Sequence, residues 1–196
     1  MNKKYLEKKY LQEIEFLNDG IKNSKNPYHF FTLSTNCNNN PESRTVVLRG
    51  FELNPFTIYF NTDLRSNKIV EINENPIVSI LFYDNLRKTQ LRLKANAIVH
   101  SKNEIARLKW ENTALQSRKC YMAPFKPSSK LEKWHPNIPL EFLDKDPDKE
   151  SSESGYDNFC VIELVCQNLE ILELHHSGHI RFRKKFNTGK SYFIAT

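Results

Sequence analysis

The sequence predicts a mostly β protein, an antiparallel barrel with accessory helices. Three observations lead there. Strand-like runs outnumber helical ones and never alternate with them in a β-α-β rhythm, which argues against a doubly wound parallel sheet. Turn-forming clusters, among them Asn36 to Pro41, Asp84 to Lys88, Gly178 and Gly189, punctuate the runs at short intervals, as hairpins require. Strands this apolar also favour closure, because a closed sheet leaves no unpaired edge.

Taken in order, residues 2–23 have helical periodicity. Leu6, Tyr10, Ile14, Leu17 and Ile21 fall on one stripe, and lysines and glutamates fill the other face. Pro27 ends the helix, because the residue before proline is pushed out of the helical region. Tyr28 to Thr35 is aromatic and hydroxyl-rich and reads as the first strand. Arg44 to Phe51 and Phe56 to Asn61 are two further strands joined by a turn at Asn54 and Pro55. Ser66 to Asn75 reads as a short helix with Ser66 as N-cap and Pro76 behind it. Ile77 to Tyr83 is an unbroken apolar run, expected of a strand buried on both faces. Thr89 to His100 alternates, with Leu91, Leu93, Ala95, Ala97 and Val99 on one face. Residues 103–117 return to helical spacing. A loop or lid follows over 122–157, too long to be an ordinary connection. The chain ends in strands at Phe159 to Val165, Leu169 to His175, Ile180 to Phe186 and Tyr192 to Ile194.

The 196 residues are expected to form a single domain, with residues 1–25 as an N-terminal helix. With 29 basic and 23 acidic residues the formal charge is +6, which suits an anionic ligand or weak nucleic-acid attraction without choosing between them. Glu141 to Asp157 holds seven acids against two lysines, so the remainder is more basic than the total suggests. Five glycines argue against a glycine-rich phosphate loop. No window approaches the ~18 apolar residues of a membrane span, and the first ten residues lack the apolar core of a secretory signal. Cys37, Cys120, Cys160 and Cys166 show no C-x-x-C pairing, so reduced thiols, a cytoplasmic location and no metal site are expected.

The stretch from Ser43 to Lys68 carries the chemistry. An antiparallel return from the Arg44 strand to the Phe56 strand would lay Arg44 beside Thr62, Ser66 and Lys68. Cations, hydroxyls and a helix N-terminus together suit a phosphate. An ordinary N-cap among surface cations would have the same spacing. A second group, His175, His176 and His179 with Arg181, has H-H-x-x-H spacing but no matched carboxylate or thiolate for a metal. Strand parity would put His175, His179 and Arg181 on one face. A third, Trp110, Tyr121, Trp134 and His135 with Arg118 and Lys119, has the aromatic and cationic make-up of a base-stacking surface, or of helix-to-barrel packing.

SRTVVLRGF, YFNTDLRSNK, NPIVSILFY and TQLRL, in that order and spacing, resemble the FMN-binding half of the pyridoxamine 5′-phosphate oxidase family. NLEILELHHSGHIRFR resembles its closing strand pair. The resemblance implies a six-stranded split β-barrel that forms a homodimer, with FMN in a cleft built by both subunits. By position it implies Arg44 and Lys68 on the FMN phosphate with Ser66 donating a hydrogen bond. It places Thr62 and Arg49 near the ring or ribityl chain, and Gln90 on the neighbouring strand. Gln116 and Ser117 are implied as the partner's contribution, and Arg181 as a late arginine beside the flavin. Arg44 and Arg49 differ in strand parity, so a bulge is needed for both to reach one ligand.

The departures from the family pattern are Asn67 for a second cation, Leu172 for a ring-contacting tryptophan, and Ser177 with His179 for an arginine–histidine pair. Substrate-side candidates are then His179, Arg181 and Arg118. The implied function is flavin-mediated oxidation or reduction of a small, possibly phosphorylated, substrate. The alternatives are an FMN-binding reductase, carrier or sensor without oxidase activity, and a basic nucleic-acid-binding barrel.

Overall fold

The computed structural model describes residues 3–196. Helix α1 (Lys3–Gly20) buries the expected stripe of Leu6, Tyr10, Ile14 and Leu17. The expected helix began at Asn2, which lies outside the described residues. A single 3₁₀ turn, Pro27–His29, follows, started by the Asn26 side chain accepting from the Tyr28 N–H. It takes Tyr28 and His29 out of the first strand, which runs as β1 from Phe30 to Cys37. Asn38 and Asn39 then turn the chain with positive φ of 51° and 62°, a conformation that asparagine tolerates and a two-residue hairpin demands. Strand β2 (Asn40–Val47) returns along β1.

The rest of the sheet comprises β3 (Gly50–Leu53), β4 (Phe56–Asp63), β5 (Ile77–Asp84), β6 (Thr89–His100), β7 (Phe159–Glu173), β8 (Ile180–Lys185) and β9 (Ser191–Phe193). Every pairing is antiparallel, in the order β2-β1-β5-β6-β7-β4-β3, with β8 on β7 and β9 on β8. The fold class is the one expected. Taking β2 and β3 as one interrupted strand leaves six strands round the core, to which β8 and β9 add a hairpin. The ends of the sheet do not pair with each other. The chain itself joins them: the Leu48 N–H bonds the His29 carbonyl at 2.9 Å and the next N–H, of Arg49, bonds the Tyr59 carbonyl at 2.8 Å.

That interruption corrects the reading of Arg44 to Phe51 as one strand of a hairpin. Asn40–Val47 pairs with β1, and only Gly50–Leu53 pairs with β4. A second correction concerns the two strands expected across Phe159 to His175. They are one strand of 15 residues, β7. A register shift opposite Lys94 and Ala95 leaves Gln167 as an extra residue, a bulge that bends β7. Its first half pairs with β4 and its second with β8. A third correction concerns β5, which alternates between exposed and buried and is not covered on both faces. Val78, Ile80 and Phe82 face the core, while Ile77, Leu81 and Tyr83 lie on an open outer face.

Helix α2 (Asn67–Glu74) packs on β1 at one end of the barrel. Helix α3 (Glu104–Glu111) ends earlier than the periodicity suggested, and α4 (Leu115–Arg118) follows it as a separate turn. Trp110 on α3 packs with Tyr59, Phe159 and Val161 in a second apolar cluster outside the main core. The 122–157 segment is irregular apart from short helical turns, including α5 (Lys149–Ser152). Arg118 pins it. This side chain, 2 % exposed, donates to Ser152 Oγ at 2.9 Å and to the Trp110 carbonyl at 2.8 Å, and lies over the Trp110 ring.

Helix α1 is held by a buried carboxylate. Glu13, 1 % exposed, accepts from Arg87 at 2.7 Å and from the Tyr28 hydroxyl at 2.6 Å. Arg87 also bonds Asp84 and stacks on Phe16. Removing one partner of such a group leaves the other desolvated and uncompensated. Glu13→Ala is expected to cost about 3–5 kcal/mol in unfolding free energy, read by urea denaturation. A loss near zero would show that α1 docks by its apolar stripe alone.

Candidate functional site

Arg44 and the Thr62–Lys68 cluster do meet, though not by the hairpin the sequence suggested. Residue 44 lies opposite Leu33 of β1, on the side of the sheet that faces the barrel interior. Helix α2 crosses the same end of the barrel and brings Lys68 to it. The Lys68 ammonium donates to Thr62 Oγ1 at 3.0 Å. Its pKa is pulled below the ordinary lysine value, chiefly by burial and then by the charge of Arg44. Two cations are thus held close enough to repel, and among the described residues no carboxylate is bonded to Lys68. Ser66 precedes α2 but does not cap it: its hydroxyl donates to the Asp63 carbonyl at 2.7 Å. The Ile69 N–H bonds the Ser66 carbonyl at 3.0 Å, but no first-turn N–H receives a side-chain cap from Ser66, so the positive end of the helix adds to the two cations. Such an arrangement of charge suits an anion, and a phosphate is one that it would suit. The Ser66 hydroxyl is committed to the Asp63 carbonyl, so as it stands it is not free for the hydrogen bond expected of it.

Glu71 and Thr35 belong to this site and went unnoticed in the sequence. Arg44 donates to Glu71 Oε2 at 2.6 Å and to Thr35 Oγ1 at 2.5 Å, and Thr35 donates to the same carboxylate oxygen at 2.5 Å. The i, i+3 spacing of Lys68 and Glu71 on α2 was the available signal.

The remaining expected residues occupy two other places. Arg49, displaced by the Leu48–Arg49 interruption, lines a cleft of about 410 Å³ with Asn61, Lys109, Asn112 and Ser117. The cleft lies between the β3–β4 pair and the α3–α4 connection. Asn61 Oδ1 is buried there without a hydrogen-bond partner among the described residues. Gln116 is exposed beside Ser117. Thr62 and Asn61 are consecutive on β4, so their side chains point to opposite faces, one to each site.

Gln90 and Arg181 lie on the outer face of the sheet. Cross-strand pairing sets Tyr83, Gln90, Leu172 and Arg181 in one row over β5, β6, β7 and β8. The next row is Leu81, Arg92, Glu170 and Arg183. Glu170 is buried and accepts from Arg181 at 2.7 Å and Arg183 at 2.7 Å. Burial alone would raise its pKa, but hydrogen bonds from Arg183 and Arg181 outweigh this and hold it below the usual carboxylate value. Arg181 is therefore anchored to its own sheet.

Of the substrate-side candidates, Arg118 is excluded because it is enclosed and fully engaged in the fold. His179 lies in the exposed β7–β8 loop, where its ring accepts from the His175 N–H. Both histidines are outside the strands, so the parity argument that grouped them with Arg181 does not apply. Trp110 is fully buried and Tyr121 packs against it, which makes those two helix-to-barrel packing, whereas Trp134 is exposed and His135 packs on Phe125. Cys160 and Cys166 are buried, and burial pushes the Cys160 thiol up to about 12.

Residues 11–101 match the family described as pyridoxamine 5′-phosphate oxidase, FMN-binding domain. That stretch is similar to this family's FMN-binding domain. FMN is accordingly the cofactor of the domain, and a paired-cation site at a helix start suits the phosphate of FMN. Pyridoxine/pyridoxamine 5′-phosphate oxidase 2 of Arabidopsis thaliana is 35 % identical over 94 residues, 44 % of this chain. The match spans 48 % of that relative, about half its length. A pyridoxamine 5′-phosphate oxidase-related, FMN-binding protein from Nostoc punctiforme PCC 73102 superposes with a TM-score of 0.73 at 21 % identity, over 94 % of this chain and 96 % of that one. PhzG from Burkholderia lata 383, crystallised with tetrahydrophenazine-1-carboxylic acid, gives 0.63 at 15 % identity, over 98 % and 91 %. At such identities the likeness is one of fold.

In the FMN-binding domain Lys68 sits where it opposes folding and favours an anion. Lys68→Met is expected to raise the stability of the flavin-free protein by about 0.5–2 kcal/mol while weakening FMN binding at least tenfold. Calorimetry and flavin titration of one preparation check both. A variant that loses stability would show that the ammonium is satisfied as it stands.

Proposed function

We propose that the chain is an FMN-dependent oxidoreductase acting on a small anionic substrate, and that it works as a homodimer. The observation that carries this reading is the close pair Arg44 and Lys68 at the uncapped start of α2, within an FMN-binding domain. Bound there, FMN supplies the redox chemistry by accepting a hydride equivalent and passing the electrons on. The protein's part is to hold and orient. Arg44, Lys68 and the α2 N–H groups neutralise the phosphate. The Arg49 cleft is the substrate's place, with Arg49 and Lys109 for an anionic group and the unpartnered Asn61 Oδ1 for a donor.

The homodimer reading rests on the outer sheet face. Phe30, Ile77, Leu81 and Tyr83 are 49 %, 48 %, 37 % and 42 % exposed there, an apolar patch of the kind that marks an interface. Gln90 and Arg181 share that face and point away from their own phosphate site, so a second copy is what would bring them to a flavin.

A flavin-binding protein without oxidase activity is the second reading. It is favoured by Arg118 being locked in the fold and by Ser177 standing where the oxidase has a cation. Incubation with pyridoxamine 5′-phosphate under air, followed by peroxide detection, separates the two.

The purified protein is expected to be yellow, with flavin absorption in the near ultraviolet and blue. Arg44→Ala is expected to weaken FMN by roughly 1.5–3 kcal/mol, the worth of a charged hydrogen bond, and unchanged affinity would remove Arg44 from the site. Leu81→Arg, which sets a charge beside Arg92 on the apolar face, is expected to give a monomer by light scattering. A dimer that persists would place the interface elsewhere.

A further inference from the structure

We infer that Glu71 sets the affinity of the phosphate site by competing with the ligand for Arg44. This rests on the FMN reading of that site and adds a residue that opposes binding. The carboxylate, the guanidinium and the Thr35 hydroxyl form a closed triangle: Arg44 to Glu71 at 2.6 Å, Arg44 to Thr35 at 2.5 Å, Thr35 to Glu71 at 2.5 Å. Glu71 and Thr35 are both buried, at 9 % and 3 % exposure, so the carboxylate cannot withdraw into water when a ligand arrives.

A guanidinium has five N–H donors. Arg44 spends one on Glu71, one on Thr35 and one, at 3.4 Å, on the Glu42 carbonyl. An arriving phosphate either shares Arg44 through the donors that remain or displaces Glu71 from it. In both cases it comes close to a buried negative charge. Arg44 and Lys68 together offer two positive charges, and Glu71 cancels one of them. A phosphate monoester near neutral pH carries close to two negative charges, so the site is undercharged for its ligand. A neutral side chain of the same shape would hold the phosphate harder. Glu71 instead keeps Arg44 paired and ordered when no ligand is present, and makes the flavin exchangeable.

The test compares FMN with riboflavin, which lacks the phosphate, so that their affinity ratio isolates the phosphate site. Glu71→Gln keeps an oxygen acceptor for Arg44 and Thr35 and removes the charge. It is expected to raise the FMN-to-riboflavin affinity ratio roughly tenfold, the scale of one like-charge contact in a partly buried site, with riboflavin itself unchanged. Riboflavin binding and a thermal melt report folding, and Glu71→Met is a second neutral replacement expected to move the ratio the same way. A ratio unchanged or lowered in the folded variants overturns the inference and leaves Glu71 as an orienting group for Arg44. Arg44→Ala distinguishes the two levels. If it leaves the ratio unchanged, the phosphate assignment itself fails. If it lowers the ratio while Glu71→Gln does not raise it, only the role given to Glu71 fails.

Discussion

Two strands change partners partway along, and the rest of the molecule follows from where they do it. The β2–β3 strand leaves β1 and joins β4 at Leu48–Arg49, with consecutive N–H groups bonding the His29 and Tyr59 carbonyls. Strand β7 keeps β6 throughout but exchanges β4 for β8 at the Gln167 bulge. Backbone groups must find partners. Each switch keeps the ladders paired while splitting the sheet into two halves. The first also turns Arg49 away from Arg44, which resolves their conflict of parity by giving them different tasks.

The proposed phosphate site is assembled at a cost that the fold bears. Burying Lys68 and setting it near Arg44 both act against its charged form, and the start of α2 receives no side-chain cap. Such a site is stabilised by its ligand rather than by itself, the usual exchange of stability for function. The partly buried ion pair between Arg44 and Glu71 limits that cost. The same molecule uses buried carboxylates for purely structural ends elsewhere. Glu13 ties α1 to the barrel through Arg87, and Glu170 gathers Arg181 and Arg183 onto β7.

The anion site at the barrel end, the cleft beneath α3 and the polar rows on the outer sheet face are three separate surfaces of one chain. The first two share an edge, because Asn61 and Thr62 are neighbours on β4. The third turns outward beside an apolar patch, and for that reason the proposed catalytic unit is two chains rather than one.

Much of this was legible in the residues. The α1 stripe, the alternation of β6, the Asn-rich hairpin turn and the antiparallel barrel are local or compositional signals, set by periodicity and turn chemistry over a few residues. So was the grouping of Arg44 with Thr62 and Lys68, by resemblance and by residue type. Other features were decided only by tertiary structure. The outer face of β5 reads as buried because its residues are apolar, yet none of the described residues of the chain covers it. Glu71 drew no reading from the sequence, and Arg118 was a substrate-side candidate; packing encloses both. Burial and partner choice depend on residues distant in sequence, and a strand that switches neighbours between two residues leaves no mark in the order of its own side chains.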